Sequence, residues 1–281
     1  MRPRRSHRSK LAIVLTVALG LLTPMAANMV GAQAGAPEAS AVRPVVVRVV
    51  ASATPRGFAL PASGVRPNPA NIAREAAQVA RWTNVLVKVP RTLPALARPR
   101  AAAPQVGVVP AGSKYYGIPI VAWVEEVSDN GRWGRVELPY TWPRREGWIR
   151  LHGLHRDTTR VRVEVDLSTH TVTVRKFGNV LFRAPGATGA PSTPTPVGEY
   201  FVTDRVPFSG GSYGTFAFGI SGIQPRLPAG WSGGNQLAIH GTNSPSSIGQ
   251  SVSAGCVRVS QSTLDRLIPL LVYGTPVIVH L

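Results

Sequence analysis

Acidic residues are scarce in this chain, with 13 Asp and Glu against 31 Lys and Arg and a formal net charge of +18. No Asp or Glu occurs between Arg205 and Leu264, so a histidine in that stretch has no carboxylate close in sequence to orient it. A surplus of this size favours an anionic environment such as an envelope polymer. Helix-turn-helix, zinc-ligand and base-stacking patterns are all missing, which removes nucleic acid from the expected partners. His152 and His155 lie three apart, too little to make a metal site. Cysteine is rarer still. Cys256 stands alone, which excludes an internal disulfide, and no cysteine adjoins the N-terminal apolar run to carry a lipid.

What is present begins with an export pattern. Arg2, Arg4, Arg5, Arg8 and Lys10 precede an apolar run over residues 11–22 broken only by Thr16 and Gly20, the layout of a secretion signal. Ala32 and Ala34 supply the spaced small pair of a cleavage site, so residues 1–34 are read as a signal peptide cut after Ala34. The alternative is an uncleaved anchor, the one reading in which the protein touches a membrane. Both place the body of the protein outside the cytoplasm, in the wall or a periplasm-like space, where a lone thiol is exposed to oxidation unless it has work to do.

Residues 35–105 are rich in Ala, Pro, Arg and Gly and read as a low-complexity tether, with a short helical pattern over 71–81 through Ile72, Ala76, Val79 and Ala80. From residue 106 to 155, short apolar strands around Asp129-Asn130-Gly131 predict a small β module, its tryptophans read as core ahead of a ligand groove. Residues 161–166 (VRVEVD) and 171–175 (TVTVR) alternate with period two and form a hairpin. The glycine-rich passage 209–234, carrying Tyr213 and Trp231, is either a cleft wall or a set of unresolved strands. Ser262 and Asp265 have cap-box spacing ahead of the stripe Leu264, Leu267, Ile268 and Leu271, and Pro269 either kinks this helix or confines it to its first turns. The class is mostly β, a sandwich or rolled sheet with one clear C-terminal helix.

The chemistry concentrates in residues 237–260, LAIHGTNSPSSIGQSVSAGCVRVS. A strand ending at His240 and a second beginning at Cys256 bring imidazole and thiol together, and acyl transfer through a thiol needs that proximity. Gly255 permits unusual dihedrals, so the N–H groups of Gly255 and Cys256 are candidates for an oxyanion hole. Arg258, two residues on and therefore on the same strand face, offers a fork for a substrate carboxylate. With no acid at hand, the Gly241 carbonyl is the candidate to orient His240.

His240-Gly241-Thr242, the 16-residue step and Ser253-x-Gly255-Cys256-Val257-Arg258, together with the upstream TPTPVGEY at residues 193–200, resemble the L,D-transpeptidase (YkuD) catalytic domain over residues 161–281. The stretch 106–155 resembles the SH3-like modules placed beside catalytic domains in bacterial envelope proteins. The first resemblance implies a mostly β, L,D-transpeptidase-like β-sandwich acting on peptidoglycan stem peptides, with Cys256 as nucleophile, His240 as base, Gly241 giving its carbonyl and Arg258 holding the donor. Thr242 and Tyr213 are read as further substrate contacts. It calls for no metal or organic cofactor. Where the family often has histidine before the Gly-Cys pair, this chain has Ala254.

Overall fold

The computed structural model describes residues 69–281 apart from Ala229, and the signal segment and the tether up to residue 68 lie outside the described residues. Helix α1 (Pro69–Arg81) opens the described chain, with proline at its first turn, where the ring's fixed φ and missing N–H cost nothing. The side that periodicity marks as apolar is not buried, since Ala76, Val79 and Ala80 are exposed.

Seven strands follow: β1 (Asn84–Lys88), β2 (Leu93–Leu96), β3 (Gln105–Val109), β4 (Val121–Val127), β5 (Trp133–Glu137), β6 (Glu146–Arg150) and β7 (Arg156–Thr159). They form one antiparallel sheet in the order β3-β2-β6-β5-β4-β1-β7. The module therefore spans residues 84–159, and β1 and β2 occupy a stretch whose composition reads as tether. Pro94 is tolerated because β2 pairs β3 along its length but touches β6 only through Leu96↔Trp148, leaving no ladder bond for proline to break on that side. Trp123 and Trp133 are buried, and Trp123 joins the core with Leu86, Ile120, Leu138 and Ile149.

The second sheet contains β8 (Val161–Asp166), β9 (Thr171–Lys176), β10 (Asn179–Gly189), β11 (Gly198–Pro207), β12 (Phe216–Ile223), β13 (Gln236–His240), β14 (Ser251–Ser253), β15 (Val257–Val259) and β16 (Pro276–His280). Its order is β14-β10-β15-β13-β12-β11-β16-β8-β9, with β10 also paired to β9. One long strand thus rolls the sheet onto itself. The first part of β10, to Pro185, pairs β9, and from Gly186 onward it pairs β15 and then β14. The hairpin β8–β9 has the alternation its sequence predicts, with Val161, Val163 and Val165 buried and Arg162, Glu164 and Asp166 partly exposed.

Helix α2 (Gln261–Leu267) stops before Pro269. Its cap is Ser260, whose hydroxyl accepts from the Thr263 N–H at 3.2 Å, two residues ahead of the Ser262 that the cap-box spacing suggests. Leu264, Leu267 and Leu271 are fully buried in the rolled sheet's core.

The two sheets are joined by a shared core and by polar contacts. Phe201 of β11 packs among the module's buried residues. The Tyr140 N–H donates to the Ser221 carbonyl at 2.7 Å, and the Ser221 hydroxyl bonds the buried Glu137 carboxyl while accepting from the Phe201 N–H at 3.0 Å. Burial holds the Glu137 carboxyl well above the usual carboxylate range.

Candidate active site

Strands β13 and β15 run parallel with Ile239 opposite Val257 and His240 opposite Arg258. Directly paired residues share a face, and so do residues two apart on one strand. His240, Arg258 and Cys256 therefore converge, and all three line one cavity together with Tyr213, Gln224, Trp231, Ser253 and Ala254.

His240 is 4% exposed. Its Nδ1 lies 2.6 Å from the Gly241 carbonyl, so the proton sits on Nδ1 and the Nε2 lone pair is left free to act as a base. Gly241 is itself pressed by the chain beside it: a Cβ on Gly214, whose φ is +64°, would sit 2.7 Å from the Gly241 Cα, and only glycine permits that approach. Tyr213 stands against the imidazole with ring centroids 4.6 Å apart. Burial, with the Arg258 cation adding to it, lowers the His240 pKa to about 4 against the pull of the Gly241 carbonyl.

The thiol is also un-ionised at neutral pH. Burial raises the Cys256 pKa to about 11, partly offset by the Ala238 backbone and by Arg258. Its Sγ makes a long contact of 3.9 Å with the Gln236 carbonyl. The cavity thus holds a neutral thiol and a neutral imidazole, a base awaiting a proton. This sets a pH profile. A pKa near 11 leaves about a hundredfold less thiolate at pH 8 than an ordinary cysteine carries, so iodoacetamide alkylation of Cys256 should rise about tenfold per pH unit up to about pH 11. A rate plateau between pH 5 and 8 would show a thiolate–imidazolium pair instead.

The turn that presents Cys256 is welded to its surroundings. Gly255 has φ +118°, and a Cβ there would meet Gln224 Nε2 at 2.2 Å. Thr195 Oγ1 accepts from the Gly189 N–H and donates to the Gly255 carbonyl, both at 2.8 Å. Thr193 Oγ1 donates to the Ser253 carbonyl at 2.9 Å. Gln224 Nε2 donates to the carbonyls of Thr193 and Pro194, and all three side chains are buried. Ser253 Oγ accepts from the Gly255 N–H at 3.0 Å and donates to the Cys256 carbonyl at 2.6 Å.

These bonds revise two sequence expectations. The Gly255 N–H is engaged by Ser253, so of the two expected oxyanion donors the Cys256 N–H is the one left without a protein acceptor among the described residues. Thr242 does not line the cavity, and its hydroxyl accepts from the Ser244 N–H at 3.0 Å, bracing the turn after His240. Tyr213 and Arg258 do line it. Arg258 makes no ion pair among the described residues, and its buried Nε has no hydrogen-bond partner. A cation in that condition suits an incoming carboxylate.

Residues 209–234 supply both alternatives read from their composition. Strand β12 lies within them, and the loop after it, closed at its base by the Gln224 N–H on the Asn235 carbonyl at 2.7 Å, forms a cavity wall through Leu227, Trp231 and Gly233. The module grips this wall: Lys114 Nζ and Tyr115 Oη donate to Asn235 Oδ1 at 2.9 and 3.1 Å, and the Asn235 N–H donates to Tyr115 Oη at 3.0 Å. Nothing in local sequence marks Gln224 or Tyr115 for these tasks. Thr193 and Thr195 are signalled by the TPTPVGEY motif.

Residues 160–279 match the family model described as the L,D-transpeptidase catalytic domain, YkuD. The domain belongs to that family. Among curated proteins, the L,D-transpeptidase domain is 32% identical over 121 residues to the YkuD protein of Bacillus licheniformis, an overlap of 43% of this chain and 66% of that protein. The Bacillus subtilis YkuD protein is 29% identical over 123 residues, 44% of this chain and 68% of its own. The chain thus spans about two thirds of the length of these relatives. Among solved structures, an L,D-transpeptidase from Mycobacterium smegmatis superposes over 69% of this chain and 99% of its own with 20% identity and a TM-score of 0.37.

Proposed function

We propose that this protein is an exported peptidoglycan L,D-transpeptidase that forms 3→3 cross-links through a thioester on Cys256. The observation that carries this reading is the unpaired Arg258 cation sharing a cavity with Cys256 and a base-ready His240 in an L,D-transpeptidase domain. Arg258 fixes a carboxylate of a tetrapeptide stem. Cys256 Sγ attacks the carbonyl carbon of the third residue as its proton passes to His240 Nε2, and the tetrahedral oxyanion is met by the Cys256 N–H. The bond to the terminal D-alanine breaks, its nitrogen takes the proton from His240, and an acyl-thioester remains. An amine of a neighbouring stem then takes the acyl group. The strong net positive charge suits a protein held among anionic wall polymers.

Incubation of the reduced protein with a tetrapeptide muropeptide should release D-alanine, produce a covalent adduct by intact mass, and yield cross-linked dimers. Shortened monomers without dimers would mark an L,D-carboxypeptidase, and the absence of both adduct and D-alanine would end the proposal.

A further inference from the structure

One acid near the catalytic strands is placed where a surface role is impossible. Asp204 of β11 is fully buried. Its Oδ2 accepts from Thr203 Oγ1 at 2.7 Å and from Gln236 Nε2 at 2.6 Å, whereas Oδ1 is buried with no hydrogen-bond partner. An unpartnered carboxylate oxygen away from water is costly, and its presence calls for an explanation.

Asp204 lines a second cavity of about 320 Å³ whose other walls include Val206, Ala217 and Ala238 of the catalytic sheet, Phe208 just after β11, and Tyr115 and Tyr116 of the module. The catalytic cavity and this one share Tyr213, Gly233 and Gln236 as a partition. Gln236 reaches both sides, its carbonyl 3.9 Å from Cys256 Sγ and its amide nitrogen on Asp204. The two chambers have opposite chemistry. Among their lining residues Arg258 is the only Lys or Arg, in the first, and Asp204 the only Asp or Glu, in the second. An apolar chamber with one buried carboxylate matches an ammonium group on an aliphatic chain.

We infer that this second chamber receives the acyl acceptor, with Asp204 holding its aliphatic primary ammonium before transfer. The inference rests on the transpeptidase reading above. The ammonium loses one proton to water as it leaves Asp204. The neutral nitrogen then attacks the thioester carbonyl, the C–N bond forms, the C–S bond breaks, and the second proton passes through His240 Nε2 to the departing thiolate. Asp204 holds the acceptor nitrogen before transfer and has released it when the nitrogen attacks.

The test uses the full-length protein, its Asp204→Asn variant, and Tyr116→Ala, a half-exposed wall position. Calorimetric binding of n-pentylammonium should be at least tenfold weaker in Asp204→Asn and several-fold weaker in Tyr116→Ala, while uncharged n-pentanol binds wild type and Asp204→Asn alike. With 1,5-diaminopentane as acceptor, the acceptor KM should rise at least tenfold in Asp204→Asn and hydrolysis of the adduct should gain. The rate of adduct formation should stay within twofold of wild type, which also reports that the variant is folded. Equal pentylammonium binding by the two proteins, or an unchanged acceptor KM, overturns the inference. Failure of the wild type to form an adduct removes the transpeptidase reading, and the binding comparison still decides the chamber: ammonium binding that depends on Asp204 supports an amine site, and binding indifferent to it refutes one.

Discussion

Alanine at Cys256, at His240, or at both should bring D-alanine release from a tetrapeptide stem to the same floor, at least a thousandfold below wild type, with the covalent adduct lost in each. The physical basis is that neither group is competent alone. With its pKa near 11 the Cys256 thiol keeps its proton at neutral pH, so attack needs a base, and His240, neutral with its Nδ1 proton on the Gly241 carbonyl, is the base within the same cavity. Groups that act as one device lose their effect together, and the double variant should be no worse than the poorer single one. Intact-mass and D-alanine assays on the three variants check this. A His240→Ala protein that still acylates at a tenth of the wild-type rate would show that some other group removes the proton.

Gly255→Ala should cost about 2 kcal/mol or more of stability and about a hundredfold in adduct formation. A non-glycine residue held at positive φ costs about 1–2 kcal/mol, and here the new methyl also meets Gln224 Nε2 at 2.2 Å. Gln224 would have to leave the carbonyls of Thr193 and Pro194, loosening the loop that Thr193 and Thr195 tie to the Cys256 turn, and small misplacements of a nucleophile are expensive in rate. Gly153→Ala is the control. Gly153 also has positive φ (+75°) but nothing lies within 4 Å of its added Cβ, so it should lose stability with activity intact. Thermal denaturation and acylation rates of the two variants separate backbone strain from damage to the site. Equal activities would mean that the Gln224 bonds do not position Cys256.

The catalytic half was legible wherever a period or a chemically unusual residue stood out. The alternation of VRVEVD and TVTVR marks β8 and β9, and a lone cysteine after glycine, preceded by a histidine at a strand end, marks the site. The module was less legible. NVLVK is five residues long and lies beside the proline-rich run that follows it, so composition masks a strand held by β4 and β7 on either side. Thr242 and the Gly255 N–H looked like binding groups because sequence reports which donors and acceptors exist, and not which are already used. Gln224, Asp204 and Tyr115 were invisible for the converse reason. Their roles depend on partners 30 or more residues away, such as Thr193 for Gln224, Gln236 for Asp204 and Asn235 for Tyr115.

The grip of Lys114 and Tyr115 on Asn235 means that the cavity holding the Cys256 thiol is steadied by a hand from outside the domain that carries it. A fragment trimmed to begin at residue 160 would keep Cys256, His240 and Arg258 and lose that hand, while baring Phe201 and Ser221 where the module now covers them.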